Sequence, residues 1–120
     1  MAAYGAKLGL DYETAVKIGS AFGGGMGKTG EVCGAVTGAL MIIGLKYGSA
    51  DAGGSKAKTY NIAEQFIKEF RARHNTIICR ELLGFEIGLK KDLDSDERMI
   101  ISERCPGYVK AAADILEGII

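Results

Sequence analysis

One hundred and twenty residues are enough for one domain with a real core, and too few for several. Fifteen basic and fifteen acidic residues cancel, so the chain lacks the basic excess that marks a nucleic-acid or anionic-membrane surface. The most apolar run, Val32 to Leu45, is too short to span a bilayer, and the start has no signal-type apolar stretch. A cytoplasmic location follows as the expectation. There, three cysteines are more apt to be reduced, metal-bound or catalytic than paired as structural disulfides.

Met1 to Leu8 reads as the tail of a helix ended by Gly9. It starts abruptly, without a capping residue. Asp11 caps a second helix from Tyr12 to about Phe22, with Ala15, Ile18 and Phe22 at core spacing and Val16 on the flank. Gly23-Gly-Gly25 closes it.

The glycine-rich stretch after Phe22 imitates two nucleotide motifs. Gly27-Lys28-Thr29 resembles a P-loop, but the first glycine would have to stand where Phe22 does. Gly25-x-Gly27-x-x-Gly30, with Asp51 further on, matches a dinucleotide fingerprint. That fingerprint has meaning only between a strand and a helix, and here a helix precedes it. Nucleotide binding is rejected.

A central helix is expected from Glu31 to about Tyr47, with Cys33 in its first turn and Glu31 complementing its dipole. Gly34 and Gly38, and Gly44 and Gly48, stand four apart, so each pair shares a face that admits a neighbouring backbone. Each glycine weakens the helix by about 1 kcal/mol relative to alanine. Close packing has to offset that, so the helix should be buried.

Ser49 to Ser55 reads as a loop. Lys56 to His74 reads as a long amphipathic helix with Tyr60, Ala63, Phe66, Ile67 and Phe70 inward. Ile77 to Leu83 is a short helix stopped by Gly84, and Phe85 to Asp94 is a loop. Asp94-Ser-Asp-Glu97 opens a short helix through Ile101. Pro106 then starts a separate last helix, Gly107 to Ile119, with Cys105 as its N-cap and Tyr108, Ala111, Ala112 and Ile115 inward. No strand period occurs. The expected fold is all-α: one small bundle of five to six helices around a buried glycine-rich central helix, spanning residues 1–120.

The chemistry-bearing residues are the cysteines. Cys33 and Cys105 fall at expected helix N-termini, where free amides and the dipole lower a thiol pKa. Arg80 adjoins Cys79 and Arg104 adjoins Cys105. Thiolates of that kind serve disulfide exchange or metal ligation. No Cys-x-x-Cys pair exists, which excludes a local zinc ribbon and leaves a site assembled in three dimensions. His74 offers a nitrogen ligand, against the plainer role of a polar residue at a helix C-terminus. Glu31 and Glu103 could orient a thiol, against the plainer roles of capping and solvated charge.

Cys33-Gly34-Ala35-Val36-Thr37-Gly38, with Cys79-Arg-Glu-Leu-Leu-Gly84 and Cys105-Pro-Gly-Tyr-Val109, resembles the redox-active proteins known by the pattern C-GCAxxG-C-C. The resemblance covers nearly the whole chain. It implies a small helical protein with four cysteines and a redox or metal role. The family's first cysteine has no counterpart here. With the abrupt start, this gives the expectation that part of the first helix is missing.

Three roles are expected in turn. In the first, Cys33, Cys79 and Cys105 converge to bind zinc or an iron–sulfur cluster, or cycle between thiol and disulfide, with an electron-transfer partner. Gly24, Gly25, Gly30 and Gly34 would then supply backbone amides to the sulfurs. The lack of a local dithiol favours the metal. In the second, one cysteine, Cys33 foremost, is an enzyme nucleophile. In the third, the thiols are inert and the protein is an interaction module, a homodimer through Gly34, Gly38 or the tail at Ile115 to Ile120.

Overall fold

The computed structural model describes residues 2–50, 56–85 and 94–119. The expected loop over Ser49 to Ser55 falls partly outside them, and that over Phe85 to Asp94 mostly so. The described chain is all-α, as expected. It has four helices of eight residues or more and three of four or five.

α1 (Ala2–Gly5) runs into a 3-10 turn over Ala6–Leu8, closed by Gly9 in the left-handed region at φ 89°. Asp11 caps α2 (Tyr12–Gly19) as expected: its carboxylate accepts the Thr14 amide at 2.9 Å, which holds the carboxyl below its ordinary range. α2 ends three residues early, and its inward set is corrected. Only Ala15 is buried, while Val16 and Ile18 are almost half exposed.

α3 (Gly23–Met26) is helical in name only. From Gly24 to Lys28 every φ lies between 64° and 73°, so the chain makes a left-handed turn. α4 (Gly34–Tyr47) follows, three residues shorter at its start than expected, with Cys33 as its N-cap. Glu31 therefore lies before the helix and not in its first turn.

α4 is the central element. It buries Val36, Thr37, Ala39, Ile42 and Ile43 and packs against α5 (Lys56–His74) and α7 (Ser95–Ile119). Val36, Ile42, Ile43, Phe66, Phe70, Ile115 and Leu116 form the heart of the core. The glycines of α4 do not all admit a neighbour. A Cβ on Gly34 would meet the Phe22 carbonyl oxygen at 3.2 Å, whereas one on Gly44 would meet nothing. The expectation of a helix packed closely along both glycine pairs is corrected accordingly.

On α5 the buried residues are Phe66 and Phe70, with Ile62 packed against the core beside them. Tyr60 is 62% exposed and leaves the expected stripe. The rest of the expected stripe holds: Phe66 and Phe70 are buried, Ile67 packs against the core and Ala63 is half-buried.

α6 (Cys79–Leu83) is a single turn closed by Gly84 at φ 84°, close to expectation. The expected break at Cys105–Pro106 does not occur. α7 runs unbroken through Pro106. It starts from a reciprocal cap, in which Glu97 N–H donates to Asp94 Oδ1 (2.7 Å) and Asp94 N–H to Glu97 Oε1 (3.2 Å). A proline inside a helix removes one backbone bond and crowds the preceding turn, at a cost of about 3 kcal/mol. Packing against both α4 and α5 outweighs that local preference.

Replacing Phe66 with alanine should lower the unfolding free energy by about 3–5 kcal/mol. Tyr60→Ala should cost less than about 1 kcal/mol, as at other exposed positions. Urea melts of the two variants check the inward phase of α5.

Candidate functional site

The site is built where the glycine loop, the start of α4, α6 and the middle of α7 meet. Its scaffold is a short antiparallel pairing of residues 30–33 with residues 77–80, centred on a bridge between Val32 and Ile78. Cys33 N–H donates to Ile77 O (2.8 Å), Cys79 N–H to Glu31 O (2.6 Å) and Arg80 N–H to Gly30 O (3.1 Å). Two of those donors belong to cysteines, so the pairing sets Cys33 and Cys79 on adjacent backbone.

The left-handed turn presses on this pairing. A Cβ on Gly25 would lie 2.6 Å from Cys79 Cβ and 2.7 Å from Glu31 N, so only glycine fits. Gly30, at φ 74°, backs onto Arg80 Cβ less tightly, at 3.2 Å, and its left-handed conformation is what favours glycine there. Met26 and Lys28 share the left-handed conformation without being glycine, which costs about 1–2 kcal/mol each. Thr29 Oγ1 helps hold the turn by donating towards Gly25 O and Met26 O. Gly30 N–H donates to Gly24 O (3.1 Å) and Glu31 N–H to Gly25 O (2.9 Å). The Gly30 amide thus serves the loop.

The three thiols are free. Cys79 is 7% exposed; Cys33 and Cys105 are half-buried. Cys79 and Leu83 form a small buried apolar cluster beside the main core, and Cys105 packs against that cluster with Phe85, Ile100 and Ile101. Cys33 borders the main core. All three lie near enough to sense one another's charge. A thiolate at Cys33 or Cys105 raises the Cys79 pKa, and one at Cys33 raises that of Cys105.

The expectation of lowered thiol pKa values is overturned. Burial raises all three, Cys79 to about 11. The physical reasons are local. Cys105 sits in mid-helix and has no helix N-terminus to stabilise it. Cys79 does start a helix, but a single turn offers little dipole. At Cys33 the Ala35 and Val36 amides favour the thiolate, yet desolvation outweighs them. The neighbouring arginines are committed elsewhere. Arg80 Nη1 pairs with Glu31 Oε1 at 3.1 Å, and Arg104 Nη1 donates to Leu82 O (3.1 Å) and Leu83 O (3.2 Å).

Glu31 is thus an ion-pair partner on the surface, and Glu103 is exposed on α7. His74 ends α5, as expected. Its ring lies 4.9 Å from those of both Phe70 and Tyr108, and its buried Nε2 has no hydrogen-bond partner. Tyr108 was read from sequence as a core residue only. Its hydroxyl donates to Leu82 O at 2.8 Å, and its charge environment includes Arg104 and all three cysteines. The available signal was its place one turn after Arg104, with Cys105 between them.

Among the described residues, no three His, Cys, Asp or Glu side chains are placed to hold one metal ion. The three sulfurs suit a soft metal in kind, but their placement here does not form a ligand set. No described helix is long and apolar enough to cross a membrane.

An all-α domain that gathers three free thiols from three separate elements is a small helical thiol protein. The chain belongs to the family described as "Putative redox-active protein (C_GCAxxG_C_C)", whose sequence model matches residues 1–119. Neither the curated proteins nor the solved structures contain a match to it.

Two outcomes test the site's construction. Gly25→Ala should destabilise the protein by about 3 kcal/mol or more, through strain and collision with Cys79, whereas Lys28→Gly should stabilise it by about 1 kcal/mol; thermal melts read both. The second concerns pH. A thiol whose folded pKa is raised adds stability below its unfolded value and loses it as pH rises through the folded one. Stability should therefore decline from about pH 9 towards about 11, and Cys79→Ala should flatten part of that decline, as read by denaturation across pH.

Proposed function

We propose that the protein is a thiol-based redox carrier whose working unit is the Cys33, Cys79 and Cys105 cluster. Cys79 and Cys105 alternate between dithiol and disulfide, and Cys33 is the third, exchanging thiol. The observation that carries this is that Cys105 packs against the small apolar cluster that contains Cys79, within reach of its charge, with Cys33 close enough for its charge to reach both. Family membership supports a redox role. High thiol pKa values agree with a centre that rests in its protonated, reduced form, since exchange needs the thiolate. Cys33 is the natural entry point. It is half-buried, and the Ala35 and Val36 amides favour its thiolate. The partner would be a thiol–disulfide donor or acceptor able to reach Cys33.

The second reading is a zinc ion or iron–sulfur cluster on the same sulfurs. The mutual charge penalty among the thiols favours it, because a cation relieves that penalty. It requires the sulfurs to draw together, with a fourth donor besides.

The test has two parts. Protein purified without chelators is first assayed for iron, zinc and sulfide, with a visible spectrum taken anaerobically. The reduced protein is then equilibrated with oxidised glutathione and peptide-mapped. A metal-free protein that forms a reversible Cys79–Cys105 disulfide supports the first reading. Stoichiometric metal would replace it with the second. Three thiols that stay free in oxidised glutathione would reject thiol exchange.

A further inference from the structure

α6 is one turn long, yet it carries Cys79 and is held at both ends. At its start, Cys79 N–H and Arg80 N–H bond to Glu31 O and Gly30 O. At its finish, its carbonyls have too few residues after them to be satisfied within the helix. Gly84 N–H donates to Arg80 O at 2.9 Å. The carbonyls of Leu82 and Leu83 are met instead from α7. Leu82 O accepts from Tyr108 Oη (2.8 Å) and Arg104 Nη1 (3.1 Å), and Leu83 O accepts from Arg104 Nη1 (3.2 Å). Arg104 and Tyr108 are four apart and share a face of α7. Cys105 lies between them in sequence.

α7 is weakest at that point. Pro106 has no N–H to give to the Ser102 carbonyl, and Gly107 is a poor helix former. Backbone alone does not pin Cys105. The Tyr108 ring also rests against Phe70 and His74, at 6.5 and 4.9 Å between ring centres, so one end of the grip is anchored in the main core.

We propose that Arg104 and Tyr108 are positioning residues for the thiol pair: by gripping the carbonyl end of α6 from both sides of Cys105, they hold Cys105 against Cys79. This rests on the dithiol–disulfide reading above. In the step concerned, the S–S bond of oxidised glutathione breaks and a Cys79–Cys105 S–S bond forms. The two protein thiols are oxidised, and glutathione leaves as two reduced thiols that carry the two protons. How readily the intramolecular bond closes depends on how well the two sulfurs are held together beforehand. Losing one grip bond should therefore lower the effective concentration of the pair.

The experiment equilibrates the full chain in buffers of reduced and oxidised glutathione and counts the Cys79–Cys105 disulfide by mass spectrometry. Tyr108→Phe keeps the ring and removes only the hydroxyl. Arg104→Gln keeps most of the stem and removes the charge. Tyr47→Phe is the control, because its hydroxyl also anchors a backbone oxygen, Ile119 O at 3.2 Å, at the far end of α7. Tyr108→Phe should need about five- to tenfold more oxidised glutathione to reach the same disulfide fraction, the effect of one net hydrogen bond, and Arg104→Gln at least as much, because Arg104 Nη1 serves two carbonyls. Tyr47→Phe should leave the equilibrium unchanged even if it lowers the melting temperature. Grip variants that match the natural chain and the control would overturn the proposal. If Tyr108→Phe does not fold, as judged by circular dichroism, Arg104→Gln decides alone. A natural chain that forms no Cys79–Cys105 disulfide defeats the underlying reading, a separate result.

Discussion

The constraint on which the site depends is the close approach of Gly25 to Cys79 Cβ and the Glu31 backbone. Two requirements meet at that position. The chain must turn left-handed, and it must pass so close to Cys79 Cβ and Glu31 that no side chain fits. Satisfying both brings the loop, the segment leading into α4 and the start of α6 onto one another. The pairing of residues 30–33 with 77–80 then has a backing, although two paired residues alone would make no stable sheet.

Energy flows into this junction from the core. Phe66 and Phe70 on α5, Ile42 and Ile43 on α4 and Ile115 and Leu116 on α7 are almost wholly removed from water. Burying each such side chain contributes about 1.5–3 kcal/mol. That excess offsets several local costs: Met26 and Lys28 in a conformation L-residues avoid, Pro106 in mid-helix, and the unpartnered Nε2 of His74. Strain of this kind persists only where surrounding structure over-determines it, and functional sites are where it gathers.

The electrostatics of the site follow from the same packing. Glycine loop, α6 and α7 bury Cys79 and partly cover Cys33 and Cys105, so the neutral thiol is favoured over the thiolate. The basic residues next to the cysteines in sequence do not reverse this. Arg80 is turned to Glu31, and Arg104 to the carbonyls that end α6. Their role is to hold elements together, and the charges felt by Cys79 and Cys105 are those of other thiols.

Much of this was legible in the chain. Helix spacing identified α4 and α5, Gly9 marked the end of the first helical segment and Asp11 the start of α2, and Cys33, Cys79 and Cys105 were singled out with the glycines around them. Those features are local: caps, left-handed glycines and apolar periodicity act within a few residues, so sequence determines them. Tertiary structure alone decided the rest. Proline at position 106 carries a local signal to start a helix, and packing of α7 on α4 and α5 overrode it. How far the buried stripe of α5 extends was settled by what packs on it, which covers Phe66 and Phe70 and leaves Tyr60 exposed. The direction of the thiol pKa shifts depended on which segments close over each sulfur and where Arg80 and Arg104 reach, and both are long-range relations that residue spacing does not encode.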